Sequence, residues 1–123
     1  MASLNMSLNM SGPYKFNSNK INEVITRTST GNYALGYVKN DGKFIVQYVG
    51  RADSDVNARL LQHIGENYTE FKFSYATSPK DAFEKECINY HDFGGNEKLQ
   101  NKIHPDRPSN SKNWKCPRCS IYD

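Results

Sequence analysis

A chain of 123 residues, 37% hydrophobic and 24% charged, fits one small domain with a modest core and lies on the polar side of globular composition. No apolar run reaches the length of a membrane-spanning helix, and no basic stretch followed by an apolar core opens the chain, so a cytoplasmic protein is expected. The net charge of +3 does not by itself imply a nucleic-acid partner, but Lys98, Lys102, Arg107, Lys112, Lys115 and Arg118 crowd the last third, a candidate phosphate-contacting surface.

The tetrad Ser-Leu-Asn-Met stands twice within the first ten residues and is followed by Gly12-Pro13, which predicts a disordered leader over 1–13 and a single domain over 14–123. Phe16, Ile21, Val24 and Ile25 are spaced for a short amphipathic helix. Tyr33, Leu35 and Tyr37 alternate with smaller residues, as do Phe44, Val46 and Tyr48 after them, which predicts two strands. Between them Asp41-Gly42 supplies the positive backbone angles of a tight turn, so the two should pair antiparallel. Asp53, Ser54 or Asp55 can cap a helix whose stripe is Val56, Leu60, Leu61 and Ile64, stopped by Gly65. Phe71, Phe73 and Tyr75 give a third strand. Ser78-Pro79-Lys80-Asp81 then starts a helix that should end at Tyr90 or His91, before Gly94-Gly95. Beyond it the chain is rich in Asn, Pro and Lys and reads as irregular. The expected class is α+β, a small three-stranded antiparallel sheet flanked by helices.

Gly31-Asn32-Tyr33 and Tyr48-Val49-Gly50 resemble the two tripeptides of the GIY-YIG nuclease superfamily. The likeness rests on their order with Arg59, His63, Glu86 and Asn101, and covers residues 31–101. Asn32 stands where the family usually has an aliphatic residue, and the hairpin is longer than in most members. Neither departure removes a reactive group. The resemblance implies a divalent-metal-dependent endonuclease that hydrolyses DNA. Tyr33 would help activate water, Tyr48 would position the phosphate or water network, and Arg59 would hold the scissile phosphate. Glu86 would bind Mg2+ or Mn2+, His63 would take up a proton, and Asn101 would hold the shape of the site.

The residues also make chemical sense in their own right. Phosphodiester hydrolysis needs a base for water, positive charge on the non-bridging oxygens and a Lewis acid for the leaving oxygen. Arg59 and His63 are four apart and share a helix face. Glu86 lies on a largely apolar stripe with Ala82, Phe83 and Tyr90, where a carboxylate is costly without a partner. A tyrosine with its ordinary pKa of about 10 serves as a base near neutrality only if cations lower it, and Arg51, Arg59 or Lys43 are the candidates. Taken singly, the tyrosines could be sheet aromatics, Arg59 a solvent-facing helix residue and Glu86 a partner of Lys80 or Lys85. Together and in order they favour chemistry.

Cys116-Pro117-Arg118-Cys119 is half of a tetrahedral zinc site. Cys87 and His91 share a face of the predicted helix and would complete it, with His104 as the competing fourth ligand. Zinc would fasten the irregular tail to the helix of Glu86. Small members of the resembled family share the ending of His-Pro followed by Cys-Pro-x-Cys. Two rival functions stand beside cutting: a nucleic-acid-binding module without catalysis, and a zinc-stabilised protein-interaction domain. A chain this short could cut both strands as a homodimer.

Overall fold

The computed structural model describes residues 8–108, 111 and 113–123. Strand β1 covers Ser11–Lys15, helix α1 Ser18–Val24, β2 Gly31–Val38, β3 Phe44–Ala52, α2 Val56–Leu61, β4 Glu70–Tyr75, α3 Pro79–Asp92 and α4 Gly95–Lys98. The class is α+β, with one antiparallel sheet in the order β1-β4-β2-β3.

The sheet has four strands where three were expected. The additional strand β1 takes Ser11, Gly12 and Pro13 from the stretch read as a leader; residues 1–7 of that leader lie outside the described residues. Ser-Gly-Pro has no strand periodicity. It is tolerated because β1 is an edge strand, where proline's missing N–H costs no ladder bond, and because the register slips between Ser11 and Tyr14. The ring of Tyr14, 5.5 Å from Phe71 and 6.1 Å from Phe73, secures the strand to β4.

Two-residue alternation divides β2 and β3 between two layers. Tyr33 and Leu35 face α1 and α2 and pack with Ile21, Ile25, Val56, Leu60, Phe71 and Phe73. Ala34 and Val49 face the other way, against Tyr90 and Leu99. The Asp41-Gly42 turn takes the expected form, with Gly42 at φ 86° and its N–H donating to the Lys39 carbonyl at 2.9 Å. Asp55 caps α2 by accepting from the Ala58 N–H. That helix ends at Leu61, sooner than the stripe predicted, and leaves Ile64 exposed in the following turn.

Helix α3 starts as expected, with Ser78 accepting from the Asp81 N–H at 3.1 Å and Pro79 in the first turn. Its buried side is Ala82, Phe83, Glu86, Cys87, Asn89 and Tyr90, a stripe wide enough to cover a sheet. Asn32 ties it to β2 by donating from Nδ2 to the Ala82 carbonyl at 2.9 Å. The Asn32 amide is wholly buried, and its Oδ1 has no hydrogen-bond partner among the described residues. An unsatisfied buried carbonyl costs about 1–3 kcal/mol. Asn32→Val, which suits a strand and removes the orphan oxygen, is therefore expected to stabilise the fold by about 1 kcal/mol. Thermal denaturation should show the midpoint rising by a few degrees, and a fall would mean that the bond to Ala82 outweighs the orphan.

After α4 the chain seals the outer edge of the sheet. Asn101 accepts from the Val49 N–H at 3.0 Å and donates to the Val49 carbonyl at 2.7 Å, so a side-chain amide takes the place of a neighbouring strand. Gln100 adds a backbone bond to the Gln47 carbonyl. The irregular tail thus begins at a fixed point.

Candidate active site and metal centre

Because β3 is the outermost strand, side chains from both faces of the sheet can meet around it. Tyr33 on β2 lies opposite Gly50 on β3, and a Cβ built at residue 50 would fall 2.3 Å from Tyr33 Cζ. Only glycine lets the phenol lie across β3 towards the open edge. Gly31 is equally constrained, since a Cβ there would stand 2.4 Å from the Ser74 carbonyl oxygen. The glycines of both tripeptides are therefore required by close approach.

At that edge lies a cleft of about 490 Å³ whose lining includes Tyr33, Tyr48, Arg51, Arg59, Glu86 and Asn101. Tyr33 and Tyr48 stack with ring centres 6.4 Å apart. Arg59 reaches the cleft from α2, Glu86 from α3, and the chain from Lys102 to Asp106 forms the remaining wall. His63 alone of the six expected site residues does not line the cleft. It stands behind Tyr33, with Nε2 2.7 Å from the Tyr33 hydroxyl and Nδ1 3.0 Å from Glu66 Oε1. The shared helix face expected for Arg59 and His63 is lost because α2 has ended by His63.

Two electrostatic features differ from expectation. Burial and the neighbouring Tyr48 push the Tyr33 phenol well above its ordinary range, with the Arg59 cation opposing. Cations therefore do not pre-ionise Tyr33, and an internal proton acceptor is needed if it is to serve as a base. Glu86 pairs not with Lys80 or Lys85 but with Arg51, whose Nη1 donates to Oε1 at 2.6 Å. Arg51 was considered only as a cation near tyrosine. The signal for its role lay in the alternation of β3, which puts Arg51 on the same face as Val49, beneath α3, where a stripe carboxylate needs a cation. Burial nevertheless raises the Glu86 carboxyl to about 7, against the pull of Arg51. No hydrogen bond among the described residues falls on Oε2, which leaves a hard oxygen donor for a divalent cation.

The second cluster corrects the expected ligand set. The ligand atoms of His91, His104, Cys116 and Cys119 all lie within 4.8 Å of one another, and the group can hold a metal such as zinc. Around tetrahedral zinc, ligand atoms would stand roughly 3.3–3.8 Å apart. His104 Nε2 is 3.1 Å from His91 Nε2 and 3.4 Å from Cys119 Sγ. Both histidines belong to the set, and Cys87 does not. Cys87 lies one turn earlier on α3, sealed with Phe83 and Cys116 beneath Trp114 and Tyr122, and burial pushes its thiol strongly upwards.

The surroundings prepare the four for an ion. His104 Nδ1 lies 2.9 Å from the Pro105 carbonyl, to which only an N–H can donate, so the Nε2 lone pair faces the cluster. Burial and His104 favour the neutral form of His91, the form that binds metal. Cys116 accepts from the Arg118 N–H at 3.4 Å, and Cys119 from that of Ile121, each two residues on.

Comparison with protein-family models, curated proteins and solved structures gives no match.

The basic tail is less available than its sequence suggested. Arg118 pairs with Asp92 at 3.0 Å, and Arg107 stacks on Tyr122 and donates to the Trp114 carbonyl. Lys102 lines the cleft, whereas Lys112 lies outside the described residues. Among the described residues no helix is long and apolar enough to cross a membrane.

Proposed function

We propose that this chain is a GIY-YIG-like endonuclease that hydrolyses DNA phosphodiesters with a divalent cation, Mg2+ or Mn2+, held by Glu86. The observation that carries the reading is the convergence of Tyr33, Tyr48, Arg59 and Glu86 on one cleft from two strands and two helices. Aromatic hydroxyls, a guanidinium and a carboxylate with one unengaged oxygen are the groups that phosphodiester hydrolysis requires.

Arg59 is exposed at the mouth and offers donors to the non-bridging oxygens of an entering phosphate. Tyr33 presents its hydroxyl at the floor as the acceptor of the proton from the attacking water, and Tyr48 orients phosphate and water beside it. Arg51 holds Glu86 in one rotamer through Oε1, so Oε2 keeps a fixed direction. A divalent ion bound there would supply Lewis acidity for the leaving oxygen. Asn101 keeps the edge of β3 in place behind these groups. We assign zinc to the Cys/His centre as a structural ion, and cutting of both strands to a homodimer.

One observation favours the reading without catalysis: Arg51 already neutralises Glu86, which leaves Arg59 and Lys102 in the cleft lining to hold a phosphate without an opposing charge from Glu86. Incubation of plasmid and branched DNA with Mg2+ separates the two. The wild type is expected to nick or linearise DNA, and Arg59→Ala and Tyr33→Phe each to lower the single-turnover rate by about 100-fold or more. DNA retention without cutting by the wild type would establish the binding module instead.

A further inference from the structure

Resting on the proposed hydrolysis, we infer that Glu66 is a positioning residue that completes a proton relay from the cleft to solvent through Tyr33 and His63. Tyr33 is fully buried and lies in the wall of the cleft. Behind its hydroxyl lies His63 Nε2 at 2.7 Å, and beyond the ring Glu66 Oε1 at 3.0 Å from Nδ1. The imidazole is mostly enclosed, whereas half of the Glu66 side chain is exposed. The rings of Tyr33 and Tyr48, centred 5.3 and 5.2 Å from that of His63, confine it. The three groups therefore form one line from cleft floor to outer surface.

The chemistry of the partners gives this line a direction. An ionised carboxylate only accepts, so His63 Nδ1 carries the hydrogen and donates to Glu66. A neutral ring protonated at Nδ1 has its lone pair at Nε2, and the Tyr33 hydroxyl donates to it. When water attacks phosphorus, its O–H bond breaks and the proton passes to the Tyr33 oxygen, while the Tyr33 O–H bond breaks and its proton passes to Nε2. The phenol is thus never left as a free phenolate, the form that burial disfavours. The bond from phosphorus to the leaving oxygen breaks, and that oxygen keeps the electron pair and takes a proton from solvent. The imidazolium, held by the Glu66 carboxylate, releases its Nδ1 proton to water on the outer side; once the products leave, Nδ1 regains a proton from that water and Nε2 returns one through Tyr33 to water in the cleft, which restores the Nδ1–H tautomer. Without Glu66 the ring can adopt the other tautomer, whose Nε2–H confronts the Tyr33 hydroxyl and blocks the transfer.

The test uses the full chain with plasmid DNA and Mg2+, comparing wild type, Glu66→Gln, Glu66→Ala and Glu66→Asp. Single-turnover cleavage should fall about 10- to 100-fold in Glu66→Ala and Glu66→Gln, while DNA affinity measured without Mg2+ stays within about twofold. Glu66→Asp should recover part of the rate. Nitrogen-15 NMR of His63 provides a readout that a merely structural residue would not move: the Nδ1–H tautomer in the wild type, and a mixture with Nε2–H in Glu66→Ala. A wild type that cuts while Glu66→Ala cuts equally fast, or keeps the Nδ1–H tautomer, overturns the relay and spares the nuclease reading. A wild type that cuts no DNA overturns both.

Discussion

Glu86→Gln is expected to abolish DNA cleavage while leaving the fold and the zinc content intact. The substitution keeps shape and leaves Arg51 a carbonyl to donate to, but removes the charge that would hold the divalent ion. Lewis-acid stabilisation is worth several kcal/mol, so the loss should be about 1,000-fold or more. Equal cutting by wild type and Glu86→Gln would assign the activity to a contaminant. The same residue fixes the pH dependence. Burial raises the Glu86 carboxyl from 4.5 to about 7, so the folded chain binds this proton more tightly than the unfolded chain does. Its contribution to stability is therefore present below about 4.5 and lost as pH rises through about 7, a change on the order of 3 kcal/mol for a fully metal-free chain. Denaturant titrations of wild type and Glu86→Gln from acid to neutral pH should show that difference. Cleavage should run the opposite way, increasing through about 7 as the carboxylate becomes free for the cation. A flat profile in both measurements would remove Glu86 from the site.

Loss of the Cys/His centre is the second large effect. Wild type is expected to carry about one equivalent of zinc by elemental analysis and the double variant Cys116→Ser with Cys119→Ser to carry none. A structural zinc contributes much of the folding free energy of a small domain, and at about 3 kcal/mol or more the thermal midpoint should drop by about 10 °C. Cleavage should fall with it, because His104 is both a candidate ligand and part of the cleft wall. Zinc content separates this failure from that of Glu86→Gln, which leaves the metal in place. A zinc-free wild type of undiminished stability and activity would refute the assignment.

Much of this arrangement was legible in the chain. Alternation and the Asp41-Gly42 turn are local properties, and they located the β2–β3 hairpin. The Ser78 cap and the mixed stripe of α3 located Glu86, because a carboxylate among Ala82, Phe83 and Tyr90 stands out against the period of the helix. What escaped depended on tertiary contacts. Strand β1 forms from Ser-Gly-Pro only because β4 offers an unpaired edge and Tyr14 an aromatic anchor. Arg51 acquires its role from a helix 35 positions away in sequence. Cys87 and His91 share a helix face, yet the tail covers the first with aromatic rings and brings His104 to the second. Spacing could not distinguish them. Sequence position also placed His63 beside Arg59, whereas the early end of α2 turns it behind Tyr33.

The stretch from Asn101 to His104 is anchored at one end to the backbone of β3 and at the other to the Cys/His cluster. Three residues of chain reach about 10 Å at full extension, so a strap held at both ends can bow by no more than about 5 Å. The wall it forms cannot swing outward as a lid does. A molecule entering the cleft would have to pass the mouth as it stands, unless the Cys/His cluster lets go of His104.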